Sequence, residues 1–132
     1  MKVAWILRIA QRRVTIGGSR SVVILRVTPD GEETELEKLH LESGGPYLRD
    51  VVKGQIAKER RLLILDLSFV PYLDSSGLGE IVSAFVHAGR ADGSLVLACL
   101  SPRAREVIRL MNLEGVILSF DSVAAAARHY CS

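Results

Sequence analysis

Leu62-Leu63-Ile64-Leu65-Asp66-Leu67 and, a few residues on, Val70-Pro71-Tyr72-Leu73-Asp74-Ser75-Ser76-Gly77-Leu78-Gly79-Glu80 are two halves of one passage, and their reading decides the fold. The first is an unbroken apolar run, the pattern of a strand covered on both faces. The second is a loop that opens a helix, because Leu78, Ile81, Val82 and Phe85 return at helical spacing until Gly89 or Gly93 stops them. A buried strand feeding an amphipathic helix is one arm of a crossover unit and calls for parallel neighbours.

Those neighbours follow. Leu95 to Leu100 reads as a strand, Ser101-Pro102 as an N-cap followed by proline, and Val107, Ile108 and Met111 as the inner face of a helix. Val116 to Phe120 is a short strand, and Asp121-Ser122 caps a last helix from Val123 to about Tyr130. Upstream, Ser43-Gly44-Gly45-Pro46 opens a helix with Leu48, Val51, Val52 and Ile56 on one face. Residues 43–130 therefore form an alternating α/β core with right-handed crossovers.

Residues 19–41 read differently. Val22 to Val27 is rich in β-branched residues, Pro29-Asp30-Gly31 has turn chemistry, and Glu33 to Leu41 follows, so an antiparallel hairpin with an acidic insertion is expected, with Arg26 across from the glutamates. Residues 1–18 form an extension and a strand, since Val3, Trp5, Leu7 and Ile9 alternate, with Trp5 also suited to a dimer contact. The expected fold is α/β: a single domain over residues 1–132, a mixed, mostly parallel sheet with an N-terminal antiparallel hairpin, and about four helices.

Composition agrees. The 132 residues are 48% hydrophobic and 24% charged, enough apolar material for the core of one domain and too little chain for two. Seventeen basic residues against fifteen acidic give a net charge of +2, which argues against a dedicated nucleic-acid binder. Two cysteines, Cys99 and Cys131, give neither a disulfide framework nor a four-cysteine zinc site, and point to a reducing compartment. No stretch approaches the ~20 apolar residues needed to span a bilayer. Met1 to Leu7 imitates a signal peptide but runs into Arg8, Arg12 and Arg13 without a cleavage site, so the chain reads as mature and cytoplasmic.

The loop after the central strand lies at that strand's C-terminal end, where open α/β sheets place their ligands and partners. Asp74 or Ser75 would serve as an ordinary N-cap. Position 77, where a capping box with Glu80 needs Ser or Thr, is glycine. Two adjacent serines beside Gly77 and Gly79 suit a hydroxyl that another macromolecule must reach. The enzyme readings fail: His87 is twelve residues down the same helix from Ser75, about 18 Å away. His40 or His129 could approach only through the fold, and a lone histidine without a carboxylate orienter is more often an ordinary surface or core residue; the phosphate-loop lysine is missing, and neither cysteine has a histidine at metal-ligand spacing. Catalytic residues, metal and cofactor are therefore expected to be none. Asp66, alone in an apolar strand, reads as a buried carboxylate bonded to loop backbone.

Leu65-Asp66-Leu67-Ser68 together with Tyr72-Leu73-Asp74-Ser75-Ser76-Gly77-Leu78-Gly79 resembles the core of STAS domains, in particular bacterial anti-sigma factor antagonists. The resemblance runs on through Gly93 to Leu97, Ser101-Pro102 and Asn112-Leu113, covering about residues 38–130. It implies a small cytoplasmic protein that binds an anti-sigma factor, usually a serine kinase, and so frees a sigma factor. It implies Ser75 as phosphoacceptor, a phosphatase that reverses the modification, and Asp74, Ser76, Gly77, Leu78 and Gly79 as the docking surface. The acidic stretch Pro29 to Glu37 stands where the family has a short turn. A constitutive scaffold subunit and a small-ligand or nucleotide sensor are the alternatives.

Overall fold

The structure, a computed structural model, describes residues 6–15, 21–28, 37–40, 48–71 and 73–131. Its elements run β1 (Ile6–Thr15), β2 (Ser21–Thr28), β3 (Glu37–His40), α1 (Leu48–Ala57), β4 (Leu62–Asp66), α2 (Ser75–Arg90), β5 (Ser94–Ala98), α3 (Pro102–Leu110), β6 (Ser119–Phe120) and α4 (Val123–Cys131). The sheet order is β3-β1-β2-β4-β5-β6. The four strands β2, β4, β5 and β6 are all parallel; for β4, β5 and β6 the alternating pattern from residue 43 predicts this, and β2 joins them by pairing parallel with β4.

The hairpin expected over residues 19–41 is not supported. β2 and β3 are not neighbours, because β1 lies between them and pairs antiparallel with both. Eight residues of β1 pair with β2 and four with β3. A direct β2–β3 hairpin would offer β2 only the four residues of β3, so the longer ladder wins. Arg26 accordingly faces Ala10 and Asp66 instead of the glutamates. The turn Pro29-Asp30-Gly31, the acids through Glu35, Trp5 and Tyr72 lie outside the described residues.

Helices cover the two faces unequally. α1, α2 and α3 bury Leu48, Val52, Leu78, Ile81 and Ile108 against Leu25, Leu63, Leu65 and Leu97 on one face. α4 packs Ala126 and Tyr130 over Ile24, Ile64 and Val96 on the other. The Tyr130 hydroxyl, 2.9 Å from the Leu63 carbonyl oxygen and 3.0 Å from Ser94 Oγ, fastens α4 to β4 and β5. Burial raises the Tyr130 phenol's pKa and keeps it a neutral donor.

Three helices end alike. Glu59, Asp92 and Asn112 take left-handed φ of 59°, 59° and 58°. The following N–H groups of Arg60, Gly93 and Leu113 reach back to Gln55, Ala88 and Ile108 carbonyls at 3.0, 2.7 and 3.0 Å, closing the helix ends in the Schellman manner. α2 thus stops at Arg90, and Gly93 completes the turn where a Cβ would meet the Ala88 and Arg61 carbonyl oxygens at 3.1 Å. Met111, expected on the inner face of α3, is 58% exposed because the helix ends one residue earlier, and Ala104 is buried there with Ile108. β6 is Ser119–Phe120, shorter than the expected run from Val116. Among the described residues no helix is long and apolar enough to cross a membrane.

Candidate functional site

The chain leaves β4 at Asp66 and needs eight residues, 67–74, to reach α2. Asp66, 2% exposed, anchors the departure. Its carboxylate accepts from the Ser68 N–H at 3.0 Å and from Arg26 Nε at 3.2 Å. This is the buried carboxylate on loop backbone that the sequence predicts, with Arg26 as an added partner from β2. The Cys99 thiol, just past β5 in a left-handed conformation (φ 63°), also hydrogen-bonds Asp66. Burial first, then the Asp66 charge, push its pKa up, against a Val123 N–H that lowers it. Cys99 is thus held as a thiol that supports Asp66, and thiolate, the nucleophilic form, is disfavoured.

Pro71 is the second anchor. Its carbonyl oxygen accepts a hydrogen bond from Ser101 Oγ, which itself accepts from the Ala104 N–H at 3.0 Å and so caps α3. The β5–α3 turn is therefore tied to the loop that carries the serines.

Asp74 then caps α2. Its backbone is extended, and Oδ1 accepts from the Gly77 N–H at 2.8 Å. Such a cap is worth about 0.5–2 kcal/mol against alanine. Since Asp74 takes this role, Ser75 is the first helical residue and its side chain is exposed, as are those of Asp74 and Ser76. Leu78 faces the other way, 8% exposed in the core, so it shapes the site by fixing α2 while Gly77 and Gly79 lie on the accessible side. A Cβ added at Gly79 would meet nothing within 4 Å, and one at Gly77 only ordinary contacts with Asp74 and Leu73. The fold's own packing does not require glycine at position 79.

Glu80 belongs to the site in a way the sequence reading missed. It accepts a hydrogen bond from the Leu48 N–H and so serves the start of α1, not of its own helix. Burial raises its pKa, and its Oε1 is enclosed without a hydrogen-bond partner among the described residues. No local signal could reveal this, because residues 48 and 80 meet only through the packing of α1 on α2.

Comparison with known proteins places this geometry. The STAS domain profile matches residues 45–126, more than half of the chain. The anti-sigma-B factor antagonist of Listeria monocytogenes is 33% identical over 72 residues, which cover 54% of this chain and 63% of that protein. The match thus spans less than two thirds of that relative's length. Among solved structures, a Thermotoga maritima protein superposes with a TM-score of 0.66 at 23% identity over 92% of each chain. The Bacillus cell fate determinant SpoIIAA in its phosphorylated form superposes with a TM-score of 0.54 at 17% identity, over 91% of this chain and 99% of that one.

Proposed function

Because the chain belongs to the STAS domain family, we propose that it is an anti-sigma factor antagonist working in the cytoplasm, a binding protein and not an enzyme. Unmodified, it docks on an anti-sigma factor through Asp74, Ser76, Gly77 and Gly79, with Leu78 holding the helix beneath them, and frees a sigma factor. That partner, or a kinase acting with it, transfers the γ-phosphoryl group of ATP to Ser75 Oγ. ADP leaves, the hydroxyl proton passes to a base of the kinase, and docking is lost. A serine phosphatase reverses the step by hydrolysis.

The observation that carries this reading is the division of labour at the start of α2: Asp74 caps, and Ser75 stands exposed beside it. A serine that capped the helix would have to break that bond to enter a kinase site. Incubation with the kinase and ATP, followed by peptide mapping, is expected to find phosphate on Ser75 and to leave Ser76→Ala a full substrate. Phosphate on Ser76 would overturn the Ser75 switch, and stable partner binding with no modification at all would favour the constitutive scaffold.

Gly79 provides a second test. Glycine inside a helix costs about 0.5–1 kcal/mol relative to alanine, and the added methyl meets no atom of this chain. Gly79→Ala is expected to raise the midpoint of urea unfolding while weakening partner binding in a titration. A variant that gains stability and binds unchanged would remove Gly79 from the docking surface.

A further inference from the structure

α2 and α3 lie on the same face of the sheet, and helical spacing fixes which flank of each is turned toward the other. On α2, Ile81, Ala84 and Ala88 face the core, and Glu80 reaches the Leu48 N–H at the start of α1. Val82, Phe85 and Val86 are therefore on the opposite flank, toward α3. On α3, Ala104 and Ile108 face the core, and Arg105 reaches out to Asp121 beyond β6 at 3.0 Å. Arg103, Val107 and Leu110 are therefore on the flank toward α2.

α1 packs closely along α2, but α2 and α3 do not come together in this way. Between them runs a groove. Val82, Phe85 and Val107 form its floor, half-buried against the core. Val86, Leu110 and Met111 form its rims, 40%, 67% and 58% exposed. All of them belong to the unbroken described stretch 73–131. α3 has nine residues, so the groove is about 13 Å long, two to three turns of a facing helix. Exposed apolar residues gathered in this way mark an interaction site.

Charge and position identify the occupant. Arg90 and Arg103 are exposed beside the rims and form no ion pair among the described residues. The acid of each helix is engaged elsewhere, Glu80 toward α1 and Glu106 on Arg109 at 2.6 Å. The groove is therefore apolar and cationic. Ser75, Gly79, Val82 and Val86 stand at i, i+4, i+7 and i+11, one line down α2. The groove thus continues the surface around Ser75.

We propose that this groove takes an apolar helix of two to three turns, flanked by carboxylates, from the same anti-sigma factor that docks at Ser75. Apolar side chains of that helix enter between Val86 and Leu110, and its carboxylates meet Arg90 and Arg103. A second copy of this chain would bring its own arginines against these two. In naming the partner the proposal rests on the function proposed above, whereas the groove and its preference for an acidic helix do not.

The test uses the full chain and a labelled 14-residue peptide with leucines at i, i+3, i+7 and i+10 flanked by glutamates. Fluorescence anisotropy is expected to show saturable binding that weakens with salt, and a lysine-flanked version should bind at least tenfold less tightly. Leu110→Gln/Met111→Gln together should weaken binding at least tenfold, and so should Arg90→Gln/Arg103→Gln. Because these side chains are exposed, both pairs should melt within a few degrees of the unmodified chain. Leu110→Met/Met111→Leu, which keeps the rim apolar, should bind normally. The peptide should also compete with the anti-sigma factor for the chain. Equal binding by either glutamine pair, equal affinity for the lysine-flanked peptide, or binding without competition would overturn the proposal. So would a dimer of the chain in sedimentation that Leu110→Gln/Met111→Gln abolishes. Ser75→Asp should still bind the peptide, so failure of the switch leaves the groove standing, and a peptide that does not bind overturns the groove while leaving the mapping of phosphate to Ser75 intact.

Discussion

Phosphate on Ser75 is expected to lower affinity for the anti-sigma factor at least 100-fold while moving the melting temperature by no more than a few degrees. The two halves of this result have one origin. A phosphoserine brings about −1.5 to −2 charge at pH 7, and on the first residue of α2 it sits among backbone N–H groups and a dipole that favour anions. The fold therefore tolerates it. At a protein interface the same charge, next to the Asp74 carboxylate, must be desolvated without a partner. A 100-fold loss corresponds to about 2.7 kcal/mol. Ser75→Asp, with about half the charge, should move in the same direction. Ser75→Ala should bind persistently and melt close to the unmodified chain, because the cap belongs to Asp74. Isothermal titration of all four forms decides the matter; phosphorylated protein that binds as tightly as unmodified protein would overturn the switch.

Leu65→Ala is expected to cost about 2–5 kcal/mol, the range for emptying a leucine site in a packed core. Leu65 is fully buried in β4, with Leu25 and Leu97 as its neighbours across both ladders. Neighbours held by hydrogen bonds on both sides cannot close the space, so the loss should fall in the upper half of that range. Domains of this size have about 5–15 kcal/mol in total, so the variant should unfold at a markedly lower urea midpoint. A cost below about 1 kcal/mol would show that Leu65 is not at the centre of the core.

The parallel half of the molecule was legible because its signals are local. The run Leu62 to Leu67, the spacing of Leu78 and Ile81, and the caps at Ser101 and Ser122 each report on a few adjacent residues, and each is found where expected; the Ser122 hydroxyl accepts from the Ala125 N–H at 3.0 Å. Strand order is a different kind of information. Turn chemistry at Pro29 says that the chain changes direction but not which strand it then pairs with, and a β1 long enough to serve two neighbours outcompetes the adjacent segment. Met111 failed for a related reason: the spacing of Val107 and Ile108 extends to it, but α3 ends at Leu110 and Met111 is the C-cap residue, exposed beyond the last helical turn. At the site, the cap and the exposed serines could be read from Asp74-Ser75-Ser76. The ties from Arg26, Cys99, Ser101 and Glu80 could not, since each joins residues far apart in sequence.

The clasp of Tyr130 has a consequence for the order of events on the ribosome. The tyrosine reaches back 67 residues to Leu63 and 36 to Ser94. Domains form as the chain emerges, and α1, α2 and α3 with the central strands are all made before this side chain exists. One face of the nascent sheet can close while the other, with Ile24, Ile64 and Val96, stays uncovered until residue 130 is released from the exit tunnel. That interval is when this chain is most exposed to misassociation. Its length is set by translation speed over the α4 codons, so slowing synthesis there should increase aggregation, whereas the same pause upstream of β5 should not.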